Sequence, residues 1–170
     1  MNSNKNEIKS KQNTHHLYLA DVVSINAIVM ALYEAISFPP GGQPNYDRLR
    51  SLFVPDGRLI PPLLNGRVPV EVIDLETFIS RSMVNVQTSE LGRRGFHEKE
   101  ISRFTEAFGN IAHVFSTYEA RFTKNETVPL ARGINSIQLV TDGKRWWVLT
   151  VFWVDESADR LIPEKYLGKK

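Results

Sequence analysis

Residues 131–156, ARGINSIQLVTDGKRWWVLTVFWVDE, set the architecture of this chain. Two runs rich in β-branched and aromatic residues flank Asp142-Gly143, a dipeptide suited to a tight hairpin turn because both residues tolerate positive φ. A two-residue turn fixes register. Thr141 then faces Lys144, Leu139 faces Trp146, Ile137 faces Val148, Asn135 faces Thr150 and Gly133 faces Phe152. Directly opposed residues share a face. One face therefore carries Leu139, Ile137 and Asn135 with Trp146, Val148, Thr150 and Phe152. The other mixes Arg132, Gln138 and Arg145 with Trp147, Leu149, Val151 and Trp153, a composition found at the centre of protein–protein interfaces. The first face is expected to cover helices. The second is expected to meet another copy of the chain, with Gln138, Trp147 and Trp153 at the boundary.

The preceding strand extends the pattern. Pairing Glu119 with Arg132 lays Tyr118 over Gly133, where an aromatic compensates for the missing side chain. It also sets Ser116 beside Asn135, Val114 beside Ile137 and Ala112 beside Leu139. Ser116, Tyr118, Asn135 and Thr150 converge on the interior, and His113 falls outside, opposite Gln138. Glu119 and Arg132 read as a cross-strand ion pair.

Upstream the periodicity is helical. Ile25, Ile28, Val29, Leu32 and Ile36 recur at helix spacing between Ala20 and Ser37, with Asp21 as a candidate cap. FPPGGQPN (38–45) stops that helix. A short helix is expected from Tyr46 to Phe53, with Asp47 complementing its dipole. A proline-flanked strand in VPDGRLIPPLL follows, with Asp56 serving its turn, and then a helix from Asp74 to about 90. LGRRG (91–95) ends that helix, and Arg93 and Arg94 belong to the helix end. Phe96–Phe108, Ile111–Phe122, Ala131–Thr141 and Lys144–Val154 read as strands. Helices first and a strand meander last give an α+β fold with an antiparallel sheet.

The chain has 170 residues, enough for one domain with a real core. Residues 1–16 read as a flexible tail, 17–156 as one domain and 157–170 as an extension without a clear element. The net charge of +2 gives no default attraction to nucleic acid or anionic membrane. The absence of cysteine removes disulfides, thiolate metal sites and cysteine nucleophiles. No apolar run approaches the roughly 20 residues that span a bilayer, and the polar N-terminus lacks the apolar segment of a secretory signal. A cytoplasmic location is the expectation. His15 and His16 sit together in the tail without further ligands, and no metal or cofactor is expected.

LFVPDGRLI (52–60), GFHEKEI (95–101), FGNIAHVFSTYEAR (108–121) and RGINSIQLVTDGKRWWVLTVFW (132–153) together resemble the nuclear transport factor 2-like superfamily, in its bacterial SnoaL-like or DUF4440-like branch. The resemblance runs from Ala20 to Glu156 and is most specific in the final hairpin. It implies a cone-shaped barrel: a strongly curved antiparallel sheet wrapped around about three N-terminal helices, with a pocket between them. It also implies a homodimer through the outer face of the sheet. Members include isomerases, dehydratases, cyclases, dioxygenase small subunits and binding modules, so the fold does not choose a function.

Enzymatic members need a buried acid or base and a hydroxyl donor for an enolate-like oxygen. Tyr118 is the candidate donor, and Ser116 and Asn135 can hold a carbonyl, with Thr150 nearby. Trp146, Phe152, Ile137 and Leu32 make the expected wall apolar, which favours a nonpolar or aromatic ligand. No acid or histidine falls on the expected inner face of the last three strands. His97 is the candidate base, with Glu98 and Glu100 on the same strand and their facing left open. Two readings stand at this point: a dimeric module binding a small apolar molecule, and a cofactor-independent isomerase, dehydratase or cyclase acting on a cyclic carbonyl compound.

Overall fold

A computed structural model describes residues 18–62 and 70–168. The tail expected over 1–16, with His15 and His16, lies outside the described residues, as does part of the proline-rich stretch after the first strand. Helix α1 (Ile25–Ile36) is capped by Ser24, whose side chain accepts from the Ala27 N–H at 3.1 Å. Asp21, the expected cap, instead lies in a 3-10 turn (Leu19–Val22) and pairs with Arg48 at 2.6 Å. Helix α2 (Tyr46–Leu52) is capped by Asn45 and leads into strand β1 (Phe53–Ile60). Strand β2 (Ile73–Asp74) leads into α3 (Leu75–Thr88), where Asp74 caps as expected, accepting from Thr77 N at 2.7 Å. Helix α4 (Glu90–Arg94) ends at Gly95, whose φ of 87° suits glycine. No helix among the described residues is long and apolar enough to cross a membrane.

Four long strands follow: β3 (His97–Phe108), β4 (Ile111–Arg121), β5 (Ala131–Thr141) and β6 (Trp146–Asp155). With β1 and β2 they form one curved six-stranded sheet that does not close, in the order β2-β1-β6-β5-β4-β3. The architecture is α+β. All pairings are antiparallel except β1 with β6, which is parallel and joins elements far apart in the chain. Ile28, Leu49, Leu52, Ile79, Ile137 and Val148 are fully enclosed between the helices and the inner face of the sheet. Each contributes about 1.5–3 kcal/mol of hydrophobic burial.

The pairing of β4 with β5 is the expected one, from Ala112↔Leu139 to Glu119↔Arg132. The pairing of β5 with β6 differs. Asp142 Oδ1 accepts from both the Lys144 and Arg145 N–H groups at 2.9 Å, which makes a four-residue loop and pairs Thr141 with Trp146. That shift of two preserves the faces. A bulge then inserts Leu149, so that Leu139 faces Val148 while Gln138 faces Thr150. Beyond it every side chain of β6 changes sides. Val151, Trp153 and Asp155 point inward, and Thr150, Phe152 and Val154 point outward.

Three expectations are corrected by that single residue. Trp153, expected at the dimer boundary, lies under the helices with its ring 6.1 Å from Phe78 in an edge-on contact. Thr150 and Phe152, expected in the pocket, are on the outer face. Gln138 and Trp147 do lie outside, where the Trp147 ring is covered by the Arg145 guanidinium at 3.6 Å. The expected Glu119–Arg132 ion pair is replaced by Glu119–Arg121 at 2.8 Å and Arg132–Glu156 at 2.6 Å. Glu156 is brought beside Arg132 by its own backbone bond to the Arg132 carbonyl at 2.7 Å.

The C-terminal segment has more structure than its sequence suggests. It folds back over the outer face of β4–β6. Ile162 is buried there, a 3-10 turn (Glu164–Tyr166) sets the Tyr166 ring 4.9 Å from Phe115, and Thr117 Oγ1 donates to the Tyr166 carbonyl at 2.6 Å.

Candidate functional site

A cavity of about 430 Å³ lies between α1, α3 and the inner face of the sheet. Its walls are mostly apolar, with Leu32, Ile36, Phe78, Ile137 and Trp153 among them. Five polar side chains from five elements also reach it: Tyr33 from α1, Glu98 from β3, Tyr118 from β4, and Asn135 and Asp155 from β5 and β6. Ser82 and Asn85 line it from α3.

A second bulge puts Glu98 there. The β3–β4 hairpin turns through Gly109-Asn110, and regular pairing runs from Phe108↔Ile111 to Ser102↔Thr117. Ile101 is then inserted, so that Glu100 faces Tyr118 and Glu98 faces Ala120. Without that insertion Lys99 and His97 would point inward instead. His97 is therefore on the outer side, opposite Arg121, and is not the cavity base. Burial and the Lys124 charge hold its imidazole below the usual range.

Asp155 is reached through Gly133. Tyr118 pairs with Gly133, and Gly133 pairs with Asp155 on the far side. A Cβ on residue 133 would stand 2.6 Å from Tyr118 Cζ. Because glycine is there, the Tyr118 ring crosses β5 and its hydroxyl donates to Asp155 Oδ1 in a short hydrogen bond. Burial, then the bond to Asp155, pushes the Tyr118 phenol far above its ordinary range, so it stays a neutral donor.

Glu98 has the opposite role. Burial, with a further contribution from the Asp155 charge, pushes its carboxyl up to about 8, against the Asn135 amide that donates to Glu98 Oε1 at 3.4 Å. Glu98 is mostly protonated at neutral pH. Behind the wall a chain of hydrogen bonds continues: Asn135 Nδ2 to the Tyr33 hydroxyl at 3.2 Å, Tyr33 to Ser116 at 2.6 Å, and Ser116 to Glu100, which Arg103 grips at 2.6 and 2.8 Å.

Of the residues singled out from sequence, Tyr118 and Asn135 line the cavity and Ser116 lies one layer behind it. Trp146 packs against the core but not on the cavity. Phe152 instead borders a separate hollow beneath the C-terminal segment. Sequence reasoning missed Asp155 and Tyr33. Asp155 carried one usable signal: a tyrosine laid across a strand glycine reaches the next strand, and the acid closing VFWVDE is the acceptor in range. Tyr33 carried none beyond its place on a helix face. Among the described residues no cluster of three or more His, Asp or Glu can hold a metal ion.

No protein-family model matches the sequence, and no curated protein matches it. Solved structures do. The β subunit of benzoate 1,2-dioxygenase from Burkholderia mallei ATCC 23344 superposes with a TM-score of 0.56 over 85% of this chain and 97% of that one, at 12% identity. A candidate ketosteroid isomerase from Parabacteroides distasonis ATCC 8503 gives a TM-score of 0.52 over 82% and 98%, at 12% identity. A nuclear transport factor 2-like protein of unknown function from Silicibacter pomeroyi DSS-3 gives 0.51 over 85% and 98%, also at 12% identity. At such identities the likeness is one of fold: the chain has the nuclear transport factor 2-like fold.

Proposed function

We propose that the cavity binds a small, largely apolar carbonyl compound and moves protons on it without a cofactor, as an isomerase, dehydratase or cyclase does. The observation that carries this is Glu98, a carboxyl kept protonated near neutrality in the same apolar cavity as Asp155, which accepts the Tyr118 hydroxyl. Two carboxyls in contrasting surroundings divide acid from base. Asp155 takes the proton as a C–H bond beside the ligand carbonyl breaks. The electron pair moves to the carbonyl oxygen, where the Glu98 O–H donates. Return of the proton to another carbon completes an isomerisation. The apolar walls suit an aromatic or alicyclic body.

The test is deuterium uptake. 2-Tetralone and 2-cyclohexenone are incubated with the protein in D₂O and followed by NMR. Wild type is expected to exceed buffer, and Asp155→Asn to lose about 10²–10⁴-fold of that rate. Saturable binding with deuteration at the buffer rate would instead establish a noncatalytic binding module. One observation favours that reading: Tyr118–Asp155 and Tyr33–Ser116 already satisfy each other without a substrate.

A second copy of the chain is proposed to cover the part of the outer face that the C-terminal segment leaves open. Phe104, Phe108 and Ile111 are 58%, 86% and 56% exposed there, on the same face as Gln138 and Trp147. Sedimentation should show a dimer at micromolar concentration, and Phe108→Glu should yield monomer. A monomeric wild type overturns this.

A further inference from the structure

The hydrogen-bond chain behind the cavity has a direction, and that direction settles what the cavity offers a ligand. Both Glu100 oxygens accept from the Arg103 guanidinium, and Oε1 also accepts from Ser116. The single Ser116 proton is thus committed to Glu100. Ser116 can only accept from Tyr33, so the Tyr33 proton is committed to Ser116. The Tyr33 oxygen then needs a donor, and Asn135 must turn its nitrogen toward it. Asparagine orientation is assigned from such networks, and here each step leaves one choice. The second Asn135 N–H goes to Glu98. Asn135 Oδ1 has no donor among the described residues. It is also not enclosed, since Arg121 Nε is the only buried side-chain N or O without a partner among them. The free space that Asn135 borders is the cavity.

We propose that Glu100, which does not line the cavity, is a positioning residue that fixes this direction and makes the Asn135 carbonyl, rather than its amide N–H, the group presented to a ligand. The polar end of the cavity then pairs a donor, the Glu98 O–H, with an acceptor, Asn135 Oδ1. A ligand matching both carries an O–H or N–H donor close to a carbonyl, as in an enolised dicarbonyl or a hydroxyketone. A simple ketone satisfies only half of the site. This deepens the proposed function but rests only on the cavity being a ligand site, not on proton transfer at Asp155.

Glu100→Gln tests it. Arg103→Lys is made in the same chain, because the Arg103 fork donates to both Glu100 oxygens; the single ammonium keeps the glutamine oxygen and lets the amide nitrogen turn toward Ser116. Every bond in the chain then reverses: Ser116 donates to Tyr33, Tyr33 donates to Asn135, and Asn135 turns its carbonyl toward Tyr33 and Glu98. The groups facing Glu98 are Asp155 from β6, Tyr118 from β4, Tyr33 from α1 and Asn135 from β5, with Glu100 two residues along its own strand. Loss of the Glu100 charge alone would leave the Glu98 titration midpoint unchanged or lower it. Reversal gives protonated Glu98 an acceptor and raises the midpoint by about one pH unit, a roughly tenfold weaker acid. Carboxyl ¹³C NMR of Glu98 reads this directly, and Glu100→Asp should keep the wild-type midpoint. Binding of 2-naphthol relative to 2-methoxynaphthalene, which lacks the donor, should favour naphthol in wild type and lose about tenfold of that preference in the double variant. A midpoint that falls or stays put in the folded variant overturns the inference. If the variant does not fold, the wild-type amide decides: Asn135 Nδ2 protons without a nuclear Overhauser contact to the Tyr33 ring also overturn it. If neither naphthalene binds wild type, the cavity reading fails on its own, and the midpoint still judges the role of Glu100.

Discussion

Glu98→Gln, followed by urea unfolding from pH 5 to pH 9, measures what the buried acid does to the fold. In the folded chain, burial and the Asp155 charge raise the Glu98 carboxyl from 4.5 to about 8. In the unfolded chain the same group titrates in the ordinary carboxylate range. Between those values the folded state holds a proton that the unfolded state has released. Unfolding therefore releases a proton, and stability falls as pH rises. The contribution of Glu98 is complete below the unfolded value and is lost as pH climbs through about 8. At about 1.4 kcal/mol per pH unit, the window is worth on the order of 5 kcal/mol, comparable with the whole stability of many domains. Glutamine is neutral throughout, nearly the same shape, and keeps an oxygen for the Asn135 amide. The variant should match wild type near pH 5 and exceed it by several kcal/mol at pH 8.5. A wild-type profile that is flat or rising between pH 5 and 8, or a variant that tracks it in parallel, would refute the placement of Glu98.

Gly133→Ala drives a methyl group into the Tyr118 ring and costs about 2–4 kcal/mol in chemical denaturation, from overpacking and the weakened bond to Asp155. Adding Tyr118→Phe, which removes the closest atom, should recover part of that loss. If Gly133→Ala is neutral, the crossing of Tyr118 over β5 is wrong. Trp153→Ala removes an interior ring and should cost about 3–5 kcal/mol while leaving the sedimentation coefficient of the folded protein unchanged; a change of oligomeric state without destabilisation would return Trp153 to the surface. Ile162→Asp buries a charge under the C-terminal segment, so the segment should detach at a cost of about 2 kcal/mol. Trypsin should then cut after Arg160 faster than in wild type, and an unchanged cleavage rate would contradict the packing on Phe115.

What was legible in the sequence divides along a physical line. The β4–β5 pairing was legible because Gly133 and Tyr118 fit each other in only one register. The helices announced themselves by period and by Asp74, and the order of elements gave the fold class. The bulges were not legible. Each inserts one residue, Ile101 or Leu149, into a run that reads equally well in either phase. In VLTVFWV both faces are apolar, so burying either alternate set satisfies the hydrophobic pattern and no local cost marks the switch. HEKE places two acids on one face and a histidine and lysine on the other, all compatible with a solvated edge strand. The Asp142 loop was likewise ambiguous, since the same aspartate serves a two-residue turn or, through its side chain, a four-residue one.

The two bulges also bear on why the cavity exists. They lie on different strands and act independently, yet each turns carboxyls toward the cavity: Ile101 brings Glu98 and Glu100 inward, and Leu149 brings the exposed Asp155 to the cavity's edge. In regular strands the inner positions would hold His97 and Lys99 on one side, and Asp155 would turn to the outer face on the other. Burying acids is costly, and a core selected only for stability would fill these positions with apolar or neutral side chains. Glu100 is stabilised by Arg103, and Asp155 by Tyr118. Glu98 alone is left to bear its burial by holding a proton, with the Asn135 amide as its side-chain hydrogen-bond partner and no cation paired with it among the described residues. An acid kept neutral by its surroundings, and left facing open space, contributes nothing to packing that glutamine would not supply. Its difference from glutamine is a proton that can be given and taken back, and that difference is what the pH profile of Glu98→Gln isolates.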